Sequence, residues 1–405
     1  MKSDRIAGLS RLRLERIDRF LDERYVAPGK LPGALILVAR HGEVAHLGVV
    51  GRADIEREVA LREDTLFRIY SMTKPITSIA FMMLVEEGKV ALDDPVEKFI
   101  PAWSGQGVFV AGGPDAWVTR PPERPMQIVD LLRHTSGLTY GFQTRTNVDA
   151  AYRKAAFGEP GSQVSLSGMI DILAGVPLEF SPGEAWNYSV STDVLGYLIE
   201  VISGQPLADF LKERIFDPLG MTDTDFFVAP GQAHRLAACY AAKPTGGLRL
   251  QDDPAVSPFL KPPAFYSGGG GLVSTAADYM KFCRMLLQDG KAEGVRFVSR
   301  KTLSLMTSNH LPGGKDLPEL SRSMFSESVY AGVGFGLGFA VTESPVKTLL
   351  PSSPGEYYWG GAASTAFWID PAEDLAVVFM TQQMPSNAYP IRRELRWLVN
   401  AAIDD

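Results

Sequence analysis

Ser71-Met72-Thr73-Lys74 opens a long apolar run, residues 75–85 (PITSIAFMMLV), whose composition predicts a buried helix. Serine and lysine three residues apart share one helix face, with about 5–6 Å between their Cβ atoms, so the amine can reach the hydroxyl. A serine hydroxyl is a weak nucleophile that a neighbouring base activates. A buried lysine can act as that base, because desolvation disfavours its charged form. The helix N-terminus also offers free backbone N–H groups to a developing negative charge. The tetrapeptide alone recurs by chance in many proteins. Its seat at a helix start, with an apolar run behind it, makes Ser71 and Lys74 candidate catalytic residues.

Upstream of this stretch, Leu14, Ile17, Leu21 and Tyr25 fall at helical spacing, which predicts an amphipathic helix over about 9–25, ended by Pro28-Gly29. Residues 33–39 read as a short buried strand that turns at Gly42-Glu43 and returns over 44–50 as a hairpin. Downstream, Glu86-Glu87-Gly88-Lys89 stops the helix. From about 95 to 255 the chain is helical and loop-rich, with few strand signals; its clearest helices are 193–201 and 206–215. Strand patterns return at 336–341, and at 366–370 and 375–381 around Pro371-Ala372-Glu373-Asp374; a helix over 395–403 closes the chain. Strands at both ends around a helical middle predict one sheet built from both termini. The expected division is residues 1–72 with 256–405 as one unit and 73–255 as a mainly helical one, with the active site between them.

The 405 residues are 45% apolar and 21% charged, ordinary for a globular protein of up to two or three domains. A net charge of −7 argues against nucleic acid or an anionic membrane as partner. Cys239 and Cys283 give no disulfide framework and read as buried free thiols. The first nineteen residues carry Lys2, Arg5, Arg11 and Arg13 but no apolar stretch of a secretory signal. No segment reaches the length of a membrane span, so the reading is cytoplasmic. Five histidines without H-E-x-x-H spacing argue against zinc, and Gly268–Gly271 lacks the lysine of a phosphate loop. Neither metal nor cofactor is expected. No G-x-S-x-G elbow is present. His134-Thr135-Ser136-Gly137 reads as a helix end and turn, and Asp93-Asp94-Pro95 as turn and cap chemistry.

Two further clusters carry candidate chemistry. In Pro182-Gly183-Glu184-Ala185-Trp186-Asn187-Tyr188-Ser189, Tyr188 sits on a loop between a turn and a helix start. A phenol beside a lysine ammonium is pushed toward phenolate, which would make Tyr188 a proton acceptor for Ser71. A ring that merely packs and bonds a carbonyl is the competing reading. In Trp359-Gly360-Gly361-Ala362, glycines on a strand permit close backbone approach by a ligand. A strand edge facing the serine can offer an N–H to an oxyanion; a bulge at a sheet edge is the alternative.

The three clusters occur in an order that resembles the penicillin-recognising serine hydrolases, specifically the class C β-lactamase-like carboxylesterases called family VIII. The resemblance spans roughly residues 30–390. It takes in Phe67-Arg68-Ile69-Tyr70, Gly88-Lys89-Val90-Ala91-Leu92-Asp93-Asp94-Pro95-Val96 and Leu131-Leu132-Arg133-His134-Thr135-Ser136-Gly137-Leu138. Phe216-Asp217-Pro218-Leu219-Gly220-Met221, Gly268 through Ala276 and Gly334-Phe335-Gly336-Leu337-Gly338 continue it. It implies an α+β fold of the β-lactamase/transpeptidase type: an antiparallel sheet flanked by helices with a large, mainly helical inserted domain. Matched position by position, Ser71 is the acylated nucleophile, Lys74 shares its proton, and Tyr188 is the tyrosine of the second motif. The backbone N–H groups of Ser71 and Ala362 would form the oxyanion hole.

Two departures bear on substrate. Lactamase members read Tyr-x-Asn where this chain has Tyr188-Ser189-Val190, and Lys-Thr-Gly where it has Trp359-Gly360-Gly361. Both changes remove polar anchors for a penicillin and add apolar surface, so Trp359, Gly360, Gly361 and Val190 are expected to line a site for small neutral esters. The resemblance thus implies a serine esterase with a Ser71 acyl-enzyme, and weak cephalosporin hydrolysis or acyl transfer to alcohols beside it. The alternative readings are a class C-like β-lactamase and a D-aminopeptidase or DD-peptidase.

Overall fold

Every residue of the strand Gly33–Arg40 is buried, because its two faces meet two different cores. Ala34, Ile36 and Val38 point to one core and Leu35, Leu37 and Ala39 to the other, the two-residue alternation of a strand. The computed structural model describes residues 5–158, 162–323 and 330–405, so residues 1–4 of the N-terminal reading lie outside the described residues.

The strand belongs to an eight-stranded sheet. Its order is Val333–Phe335, Ala340–Thr342, Tyr357–Gly360, Ala366–Asp370, Leu375–Met380, Gly33–Arg40, Glu43–Asp54 and Val59–Ala60. All neighbours run antiparallel. The two chain ends meet where Val378 opposes Leu37, so the sheet is built from both termini as the pattern predicted.

On one face lie the helices Arg11–Leu21 and Ile391–Asn400, whose Leu14, Ile17 and Leu21 pack with Ile391, Leu395 and Val399. Burying each such side chain stabilises the fold by about 1.5–3 kcal/mol. On the other face lie Thr73–Glu86 and Ala276–Leu287, continuous with the helical middle of the chain. Residues 73–84 of the first are all buried, which explains its lack of a polar face.

Several elements differ from the sequence reading. The first helix ends at Leu21 and continues as the π-helical turn Asp22–Val26, which buries Tyr25. The run 336–341 is not one strand: Val333–Phe335 and Ala340–Thr342 pair as a hairpin, and Gly336–Phe339 is its turn, with Gly338 at φ +100°. The closing helix spans Ile391–Asn400 rather than 395–403, because its buried stripe begins at Ile391, just after Pro390.

The middle of the chain holds more strand than expected. Val108–Gly113 pairs with Ala116–Arg120, and Cys239–Ala242 with Leu248–Asp252. Cys239–Ala242 also runs parallel to Gln383–Met384, tying the middle of the chain to its end. Cys239 and Cys283 are both buried and free. Among the described residues no single helix is long and apolar enough to cross a membrane.

Candidate active site

Ser71 lies in the single 3-10 turn Tyr70–Met72, which runs straight into the helix Thr73–Glu86. The helix proper therefore begins two residues later than Ser71. Tyr70 holds φ +43°, a left-handed conformation that costs a non-glycine residue energy and persists only where its surroundings impose it. Those surroundings are specific. Ile69 N–H donates to Leu272 O at 3.0 Å, Leu272 N–H to Thr73 Oγ1 at 3.2 Å, and Tyr279 OH to Met72 O at 2.8 Å.

Lys74, 2% exposed, donates to three oxygens: Ser71 Oγ at 3.3 Å, Tyr140 OH at 2.9 Å and Gly269 O at 2.6 Å. The i,i+3 pair is thus brought together as its spacing predicted. Gly269 belongs to the glycine run 268–271. The buried carboxylate of Asp193 accepts from the Gly269 N–H at 2.9 Å and from Ser267 Oγ at 2.5 Å. Burial pushes the Asp193 pKa up, against the pull of Lys74 and these donors.

Tyr188 also converges on the lysine, but by its ring. Lys74 Nζ lies 4.6 Å from the Tyr188 ring centroid, a cation–π contact, while the phenol oxygen of Tyr188 accepts from Trp359 Nε1 at 3.3 Å. A second phenol, Tyr140, accepts a hydrogen bond from Lys74 Nζ at 2.9 Å. Burial, followed by the charge of Asp193, pushes the Tyr140 phenol well above its ordinary value, so it stands as a neutral hydroxyl. Sequence reasoning missed both Tyr140 and Asp193: each reaches Lys74's surroundings through tertiary packing, and no spacing marks either.

The buttress behind Tyr188 is polar and buried. His134, at φ +57°, places Nδ1 3.2 Å from Ser189 Oγ and its ring 5.1 Å from that of Tyr188. Burial, with the Lys74 charge adding, holds the imidazole well below its ordinary pKa, hence neutral. His134 stands just past the end of the helix Ile128–Leu132, as the sequence reading placed it, with its ring against Trp186, Tyr188 and Phe335. Gln143 Nε2 donates to Tyr188 O at 2.8 Å, and Asn187 Nδ2 to Leu138 O at 2.9 Å. Val190 is buried at the start of the helix Ser191–Ser203, and its N–H donates to Thr139 O at 3.3 Å.

The third cluster closes the site from the sheet. Trp359, 8% exposed, lies next to the end of the strand Tyr357–Gly360 with its ring 5.3 Å from that of Tyr188. A Cβ on Gly361 would stand 2.4 Å from Ile69 O, so only glycine lets the strand end seat against the turn that carries Ser71. Ala362 follows, half-buried, in a turn held by Gly361 N–H to Thr365 O at 2.9 Å and Ser364 N–H to Gly361 O at 3.1 Å. Serine, lysine, two phenols and the end of an interior strand thus meet in one place, an arrangement able to activate a hydroxyl and hold an anion.

Similarity to known proteins agrees with this geometry. Protein Rv1367c of Mycobacterium tuberculosis is 38% identical over 362 residues, covering 88% of this chain and 87% of that one. Esterase EstB of Burkholderia gladioli is 31% identical over 386 residues, 90% of this chain and 89% of its own. The solved structure of EstCE1, a hydrolase with promiscuous acyltransferase activity, superposes with a TM-score of 0.80 at 26% identity, over 97% of this chain and 99% of that one. An esterase relative across nine-tenths of both chains supports a carboxylesterase hydrolase. The Beta-lactamase family matches residues 19–401, and the chain belongs to it.

Proposed function

We propose that the protein is a serine carboxylesterase that acts through an acyl-enzyme on Ser71. The observation that carries this reading is the bonding of Lys74. Gly269 O and Tyr140 OH hold two of its positions, and the third faces Ser71 Oγ at 3.3 Å, the place from which the amine can exchange a proton with the serine. Ser71 Oγ attacks the ester carbonyl, and Lys74 and Tyr188 together take its proton. The Ser71 and Ala362 N–H groups hold the oxyanion, and the proton returns to the leaving alcohol. Water then repeats the sequence on the acyl-enzyme. The division of the chain at 73–255 sets this site between its two parts: Ser71 and Trp359 come from one, Lys74, Tyr140 and Tyr188 from the other.

Small neutral esters are the substrate class, because Trp359 stands where a cation would pair with a penicillin carboxylate. EstCE1 has acyltransferase activity beside hydrolysis, which favours acyl transfer to alcohols as a second outcome of the same intermediate. Ser71→Ala tests the reading: it should abolish both p-nitrophenyl butyrate hydrolysis and fluorophosphonate labelling in a protein of unchanged circular dichroism. Retained labelling overturns the nucleophile. Nitrocefin and benzylpenicillin turnover as fast as the best ester overturns the substrate class in favour of a β-lactamase.

A further inference from the structure

Behind the turn that carries Ala362 lies a half-buried cation that the proposed reaction does not use. Arg392, in the first turn of the C-terminal helix Ile391–Asn400, donates from Nη2 to Gly361 O at 2.7 Å and to Thr365 O at 2.8 Å. Among the described residues Arg392 has no carboxylate within ion-pair distance, and its Nε–H makes no hydrogen bond. The neighbouring Arg396 is paired with Glu356 at 3.0 Å. A Cβ on Gly360 would stand 2.6 Å from Arg392 Cζ and 2.8 Å from Thr365 O, so Gly360 makes room for both the guanidinium and the turn.

The Gly361 carbonyl and the Ala362 N–H are the two ends of one peptide group. A charged donor on the carbonyl draws electron density from the amide and strengthens the N–H at the other end, since bonded groups polarise one another. Resting on the proposed role of Ala362, we infer that Arg392 is a positioning and polarising residue for the oxyanion hole, acting through the Gly361–Ala362 peptide. The guanidinium fixes the turn through two carbonyls and places a positive charge, without a carboxylate partner among the described residues, one peptide away from the developing oxyanion. Substrate does not touch it.

Arg392→Gln tests this by separating tetrahedral from planar ligands. Deleting a direct oxyanion donor costs about 10²–10³ in rate, and losing only its polarisation should cost roughly 10–100-fold in kcat/KM, carried by kcat with KM nearly unchanged. The inhibition constant of an alkyl trifluoromethyl ketone, which becomes a hemiketal oxyanion on Ser71, should rise by the same factor. A planar, non-electrophilic ketone of the same shape should bind as before. Arg392→Lys, which keeps the charge but not the planar fork, should fall between wild type and Gln. If Arg392→Gln does not fold, Arg392→Lys carries the test, since losing the fork onto the Gly361 and Thr365 carbonyls should give the same paired loss at smaller size. Unchanged kcat/KM and ketone inhibition in a folded variant overturn the inference, as does equal weakening of the planar ketone, which marks a merely structural role. These results stand apart from the proposed function: an essential Ser71 beside an inert Arg392 refutes only the present inference, whereas a dispensable Ser71 refutes the esterase reading itself.

Discussion

Tyr140→Phe removes one oxygen from the three around Lys74 and leaves almost everything else in place. The Tyr140 ring stacks on Phe142 at 4.7 Å and lies 5.3 Å from the Tyr188 ring, contacts a phenylalanine keeps. The lost hydrogen bond, 2.9 Å long, is made to a group that is charged for part of the cycle. Such bonds are worth about 1.5–3 kcal/mol, or roughly 10–150-fold in rate. The expected result is a fall of that size in kcat for p-nitrophenyl butyrate, with little change in KM. Tyr188→Phe should cost more, about 10²–10⁴, because it removes a group in the proton path. Tyr140 acts only by orienting the lysine, so Lys74→Ala with Tyr140→Phe should be no slower than Lys74→Ala alone. Steady-state kinetics on the four variants decide it. A kcat for Tyr140→Phe within about twofold of wild type would show that the contact does not orient the base. A loss larger than that of Tyr188→Phe would transfer the acceptor role to Tyr140.

Two other perturbations have signs that follow from the structure. Trp359→Lys puts a cation beside the Ser71 turn, where burying an unpaired substrate carboxylate otherwise costs several kcal/mol; the ratio of nitrocefin to neutral-ester turnover should rise, and an unchanged ratio would show that Trp359 does not set substrate class. Burial raises the Glu179 carboxyl to about 7 in the folded chain. The unfolded chain ionises near the ordinary carboxylate value while the fold holds its proton, so this group removes stability as pH rises between the two values. Glu179→Gln should therefore raise the melting temperature at pH 8 more than at pH 4.5, and an equal change at both would refute the assignment.

How much of this could be read from the chain depends on how local each relationship is. Ser71 and Lys74 were legible because helical geometry converts a three-residue spacing into contact. Trp359-Gly360-Gly361 was legible as a place of close approach, though the partners of its glycines, Ile69 O and the Arg392 guanidinium, lie far away in sequence. Tyr140 and Asp193 were invisible for the complementary reason: they gain their meaning from a lysine 66 and 119 residues away. The apparent strand over 336–341 failed where glycines in an apolar run encoded a turn. The hairpins of the middle segment failed because short, partly exposed strands carry little alternation to detect.

The reacting groups share a dependence that bears on how substrate choice can change. The turn bearing Ser71 is pinned by Leu272 O, by the strand end at Gly361 and by Tyr279 OH, all 200 or more residues further along the chain. Lys74 is fixed by Gly269 and Tyr140, and the Tyr188 phenol meets Trp359. Among the described residues the hydrogen bonds that orient the serine–lysine pair do not pass through the Val190 side chain, and Trp359 meets Tyr188 at its phenol and its ring. Substitutions at those two positions are therefore expected to leave the three oxygens around Lys74 in place. Ester and lactam chemistries both need the serine, the lysine and an oxyanion hole. They differ in what must be held at the far end of the substrate, which under the proposed function is the end that Trp359 and Val190 would meet.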